Sequence, residues 1–244
     1  MMDGIKEISK DIKSFLMLGQ SNMAGRGDFG EVEEINNPNC FMLRMGRWQK
    51  MSEPINPDRA IFGEKFHSGI GLAASFADQI ANIQNCKVGL IPCADGGTKI
   101  DDWLPQGVLY HYAMSMAKLA MRNSTLSGIL WHQGESDCFS DDNLKAHKEK
   151  FLYVINSLRK DLGKEDLPII IGELSNQCAP CWGLGNRPIK MNEQYRDLVK
   201  VLPNSVLVSA SGLKLKEDGI HFNSKSLREF GKRYAAAYLE AIER

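Results

Sequence analysis

The chain has 244 residues, enough for one large α/β domain, with 43% hydrophobic and 25% charged residues, the balance of an ordinary globular protein. Its 30 basic and 30 acidic side chains cancel, which removes any global attraction for nucleic acid or anionic lipid and favours a small or uncharged partner. No apolar stretch nears the roughly 18 residues of a membrane crossing, and the charged opening MMDGIKEISKDIK lacks the apolar core of a signal peptide, so a cytoplasmic location is expected.

Apolar residues 14–18 read as a first buried strand that stops at Gly19, with Gln20-Ser21-Asn22-Met-Ala-Gly25 directly after it. Residues 27–66 are rich in Gly, Pro and Asn and read as a long irregular segment. Phe41-Met42-Leu43 and Trp48 are its only candidate strand pieces. Helical spacing follows over 71–85, then a strand over 87–92, a helix over 110–122 and a strand over 127–132. A long amphipathic helix is predicted over 143–162, with Phe151, Val154, Ile155 and Leu158 on one face. Next come a strand over 167–172, a helix over 189–201, a strand over 205–209 and a last helix over 224–242. This alternation predicts one domain spanning 1–244, with a mainly parallel sheet of about five strands covered by helices on both faces.

Six cysteines, Cys40, Cys86, Cys93, Cys138, Cys178 and Cys181, are expected as reduced thiols. Cys178-Ala-Pro-Cys181 has redox-pair spacing, but Trp-Gly-Leu-Gly-Asn-Arg-Pro follows it and reads as loop, so loop thiols are preferred over a redox or zinc site.

Open parallel sheets bind ligands outside the carboxyl ends of their strands, and those ends carry reactive groups here. Ser21 follows the first strand without the spacing of a nucleophile elbow, because Gly25 lies four residues on rather than two. Asp218-Gly219-Ile220-His221 opens the last helix; a carboxylate three residues from an imidazole can fix its tautomer, leaving the other ring nitrogen to take a serine proton. An oxyanion hole has three candidate donors: the Ser21 N–H, the Gly96-Gly97 backbone and the Gln133 side-chain amide. Glu135 and Asp137 are a possible acid–base or metal pair, with support of the loop that carries Gln133 as the favoured role. His132 is placed beneath the site, and His67, His111 and His147 are read as surface or helix-packing residues.

Four blocks in order, Gly19-Gln20-Ser21-Asn22-Met-Ala-Gly25, Gly96-Gly97-Thr98 with Asp101-Asp102-Trp103, Trp131-His-Gln133-Gly-Glu135-Ser-Asp137 and Asp218-Gly-Ile-His221-Phe, resemble the SGNH-hydrolase superfamily. More narrowly they are similar to its sialate O-acetylesterase and acetylxylan esterase branch, carbohydrate esterase family six. The resemblance implies a flavodoxin-like three-layer α/β/α sandwich and metal-free, cofactor-free serine-esterase chemistry on acetylated sugars. It matches Ser21 to the nucleophile, His221 to the base, Asp218 to its orienter and Gly97, with Gly96 as the alternative, to an oxyanion donor. Gln133 stands where the wider superfamily usually has Asn, one methylene shorter.

The expected function is therefore removal of O-acetyl groups from carbohydrates of acetylated xylo-oligosaccharide or sialic acid type, through an acyl-enzyme. The partner is a small-molecule or oligosaccharide acetyl ester, with no nucleic acid and no membrane. Gln20, Asn22, Gly96 and Glu135 are expected as site support, with Trp103 and Trp48 as aromatic walls for sugar. The rivals are an esterase or thioesterase for another acyl group and a non-catalytic sugar-binding protein on the same fold.

Overall fold

The computed structural model describes residues 10–56, 67–178 and 180–243. Its strands are β1 (Ile12–Gly19), β2 (Cys40–Arg44), β3 (Arg47–Lys50), β4 (Lys87–Pro92), β5 (Thr125–His132), β6 (Ile169–Gly172) and β7 (Ser205–Val208). They form one sheet in the order β3-β2-β4-β1-β5-β6-β7. Every neighbouring pair is parallel except β2 with β3.

The helices are α1 (Ser21–Ala24), α2 (Leu72–Gln84), α3 (Val108–Ala120), α4 (Asp141–Asp161), α5 (Arg187–Val201) and α6 (Ser224–Glu243). Alternate strand residues point to opposite faces, and both faces are apolar here. Phe15 and Met17 of β1 join Leu130 and Ile170 in a core closed by α2 and α6. Leu16 and Leu18 join Ile129, Trp131, Ile169 and Ile171 in a second core closed by α3, α4 and α5. That is why the strands read as continuous apolar runs, and the result is the expected α/β/α sandwich.

The sheet has seven strands rather than about five because the irregular segment contains a hairpin. Met45 and Gly46 both have positive φ, 51° and 77°, the turn that joins antiparallel strands through two residues. Residues 57–66 of that segment lie outside the described residues.

The chain order creates the crevice. After β1 it builds β2, β3 and β4 on one side of β1, then returns to place β5 on the other. The carboxyl end of β1 is thus the switch point where such sheets bind ligands.

The α2–α6 contact depends on one missing side chain. A Cβ at Gly231 would lie 2.0 Å from Leu72 O and 2.1 Å from Ser75 Oγ. Gly231→Ala should therefore force the helices apart and cost about 1–3 kcal/mol. Urea unfolding should show a lower midpoint at unchanged slope.

Candidate active site

Ser21 is placed by the end of β1. A Cβ at Gly19, whose φ is 131°, would stand 2.0 Å from His132 O, so only glycine lets β1 close onto β5 here. Gln20 N then donates to that same oxygen at 2.9 Å, and Ser21 begins α1. Ser21 Oγ lies 2.9 Å from His221 Nε2, and His221 Nδ1 lies 2.8 Å from Asp218 Oδ2.

Asp218 Oδ1 accepts from the N–H groups of Ile220 at 3.0 Å and His221 at 2.9 Å. Burial pushes the Asp218 carboxyl upward, but these two bonds and the imidazole outweigh it and hold the group below the ordinary carboxylate range. An ionised Asp218 keeps the proton on Nδ1 and leaves Nε2 to accept from the Ser21 hydroxyl. The structure thus brings together the three residues that sequence analysis singled out for this relay.

Two neighbours, Asn22 and Gln20, hold it in place. Asn22 Nδ2 donates to Glu135 Oε1 at 2.7 Å and to Ile220 O at 3.3 Å, while Asn22 Oδ1 accepts from Phe222 N at 3.0 Å. One amide thereby fastens both neighbours of His221 to the helix that carries Ser21. Gln20 Oε1 accepts from Gly134 N and Ser136 N, each at 3.3 Å, and so fixes the loop after β5.

Gly96 packs beside Ser21, its missing Cβ 3.7 Å from Ser21 Cβ and 2.6 Å from Arg26 Nη2. Gly97 has a φ of 75°. Among the described residues the backbone N–H groups of Ser21 and Gly97 have no protein acceptor, as donors reserved for a ligand would.

Gln133 is a correction. It is fully buried, and its amide nitrogen donates to Asp137 Oδ2 and, at 3.0 Å, to Thr98 O; Gln133 Oε1 faces His147 Nε2 at 3.0 Å. With both amide hydrogens engaged below the site, Gln133 joins the loop after β4 to the loop after β5 and is not presented as an oxyanion donor. Asp137 completes the joint by accepting from Ile100 N at 3.0 Å. Burial leaves His132 with a lowered pKa and drives His147 down to about 3. Both are neutral buried residues, and His147 is a helix-packing residue of α4, against Phe151 and Tyr195.

Ser21, Gly96, Gly97 and His221 open onto a cavity of about 230 Å³ walled by Phe139 and Trp182. The expected aromatic walls are elsewhere. Trp103 is 1% exposed, packed edge-on to Trp131, with Nε1 donating to Thr98 Oγ1 at 3.1 Å, so it supports the Gly97 turn from below. Trp48 lies on β3, where its indole covers Gly89 and donates to Asn123 Oδ1 at 3.0 Å.

Trp182 instead arrives from the loop after β6, and its Nε1 donates to Asp218 O at 2.7 Å. Cys181 directly precedes Trp182 on this loop, and Cys178 lies nearer β6. Both thiols are free, and burial pushes Cys178 up to about 12. Among the described residues no cluster of three or more His, Cys, Asp or Glu side chains could hold a metal ion, and no helix is long and apolar enough to cross a membrane.

Comparison with known proteins places the chain among carbohydrate esterases. The model of the family described as carbohydrate esterase, sialic acid-specific acetylesterase, matches residues 11–240. A probable carbohydrate esterase of Arabidopsis thaliana is 32% identical over 92% of this chain and 89% of its own. An X-ray structure of an Arabidopsis thaliana protein superposes with a TM-score of 0.82 at 28% identity, covering 93% of this chain and 98% of that one. The crystal structure of NanS matches in fold, with a TM-score of 0.77 at 17% identity over 97% of this chain and all of that one.

The joint beneath the site has a pH signature. Burial raises Asp137 from 3.8 to about 6, against the lowering effect of the Gln133 and Ile100 hydrogen bonds. A carboxyl whose folded pKa exceeds its unfolded one makes the fold less stable as pH rises between the two values, by about 3 kcal/mol for this shift. Asp137→Asn should remove that slope. The difference in unfolding free energy between variant and parent should therefore move in favour of Asn from pH 4 to pH 7.

Proposed function

The chain belongs to the sialic acid-specific acetylesterase family of carbohydrate esterases, and on that premise we propose that Ser21 is its nucleophile. The protein is a carboxylic ester hydrolase of the carbohydrate acetylesterase kind. The substrate we infer is an O-acetylated sugar of xylo-oligosaccharide or sialic acid type, cleaved through an acetyl-enzyme.

The observation that carries this reading is the unbroken path Asp218 Oδ2, His221 Nδ1, His221 Nε2, Ser21 Oγ, with both links under 3 Å. His221 takes the Ser21 proton as Oγ attacks the acetyl carbonyl. The N–H groups of Ser21 and Gly97 stabilise the oxyanion, and the imidazolium, held by Asp218, returns the proton to the departing sugar oxygen. Water then repeats the sequence and releases acetate. No step requires a metal or a cofactor.

We infer a single domain over residues 1–244 and a cytoplasmic location, where the six thiols would stay reduced.

Two measurements test the chemistry. Ser21→Ala should keep the fold and lower kcat on an aryl acetate by about 10³-fold or more; near-normal turnover in a folded variant contradicts the reading. The small cavity should also make kcat/KM fall from acetyl to octanoyl esters of one alcohol by about 10²-fold or more, because a long chain clashes or misplaces the carbonyl. Equal rates on octanoyl esters would favour a lipid-ester hydrolase.

A further inference from the structure

Two cavities meet at His221. The smaller, of about 230 Å³, holds Ser21, Gly96 and Gly97 and is walled by Phe139 and Trp182. The larger, of about 400 Å³, lies on the Asp218 flank; Arg26 and His221 line both.

The walls of the two differ in chemistry. The larger cavity includes Asp28, Phe29, His67 and Lys216. Lys216 Nζ donates to Asp28 Oδ1 at 2.8 Å and to Arg26 O at 2.9 Å, which anchors the segment carrying Phe29. The Phe29 side chain is 55% exposed, an aromatic face turned outward beside an ion pair. A sugar ring asks for that combination, an apolar face for its C–H groups and a polar rim for its hydroxyls. The smaller cavity offers mainly Phe139, Trp182 and Ile220 beyond the reacting groups.

Reaction geometry separates the two halves of the ester. The Ser21 Oγ–carbon bond forms first, giving the tetrahedral oxyanion; the carbon–sugar oxygen bond then breaks as the proton taken from Ser21 passes from His221 Nε2 to that sugar oxygen. The leaving oxygen must therefore lie within hydrogen-bond reach of Nε2, while the carbonyl oxygen lies at the Ser21 and Gly97 donors. His221 lines both cavities, so the larger one is open to the alcohol half from Nε2. At about 400 Å³ that cavity falls within the usual range of ligand sites of about 300–1,000 Å³, whereas the smaller falls below it.

Resting on the serine-esterase reading, we propose that the cavity lined by Arg26, Phe29, His67 and Lys216 is the leaving-sugar subsite, and that the cavity walled by Phe139 and Trp182 receives the acyl group. Phe29 is then a determinant of alcohol specificity and Phe139 a determinant of acyl length.

Two selectivity ratios test the assignment: kcat/KM for an O-acetylated methyl xyloside over ethyl acetate, and kcat/KM for ethyl butyrate over ethyl acetate. Phe29→Ala should lower the sugar ratio about tenfold and shift the acyl ratio less than about twofold, and Phe29→Tyr, which keeps the ring, should restore the sugar ratio. Phe139→Ala should raise the acyl ratio about tenfold by opening its cavity and leave the sugar ratio within about twofold. An exchange of the two effects, or no change in either ratio, overturns the proposal. Failure of the underlying esterase reading is seen separately, as ethyl acetate hydrolysis that persists in Ser21→Ala.

Discussion

Ser21 and His221 are 200 residues apart in the chain yet must stand within 2.9 Å of each other, and much of the architecture answers that constraint. β1 fixes one partner by ending against β5, where Gly19 and His132 share a register position. The other sits on a loop before α6 with little secondary structure of its own, so it needs an external hold. Asn22 provides it by bonding Phe222 N and Ile220 O on either side of His221. Trp182 adds a second hold through Asp218 O. Such supports set reactive geometry more finely than the reacting groups alone can.

Beneath the reacting residues lies a buried polar layer of His132, Gln133, Glu135, Asp137, His147 and Tyr195, all 2% exposed or less. Buried polar groups are costly unless paired, and Gln133, Asp137, His147 and Tyr195 are joined in a network. Tyr195 Oη donates to Gln133 O at 2.6 Å, His147 meets the Gln133 side chain, and Gln133 reaches both Asp137 and Thr98. The layer links the loop after β4, which carries Gly97, to the loop after β5. Its hydrogen bonds tie the two loops to each other. It also explains why a residue expected to face the substrate faces the interior.

Much of the fold was legible because two-sided burial writes continuous apolar strands, as in Ile169-Ile170-Ile171, and because long helices such as α4 and α6 carry clear periodicity. The β2–β3 hairpin was harder to read: it lies at the sheet edge, and its turn is Met45-Gly46 rather than Asn-Gly. Asp218, His221 and Ser21 could be singled out because strand ends and a carboxylate three residues from an imidazole are local signals. Residues whose roles depend on side-chain direction were not legible. Trp103 and Trp182 look alike in sequence, but one is 1% exposed in the core and the other is carried to the cavity by the loop after β6. Phe139 carried no signal beyond following Asp137-Cys138.

Trapping the nucleophile tests most directly whether Ser21, activated by His221, forms a covalent bond with the carbonyl carbon. A fluorophosphonate should inactivate the protein at one equivalent, with peptide mass spectrometry placing the adduct on Ser21 and Ser21→Ala remaining unlabelled. Stoichiometric labelling at another residue, or full esterase activity in protein carrying the adduct on Ser21, would contradict this role.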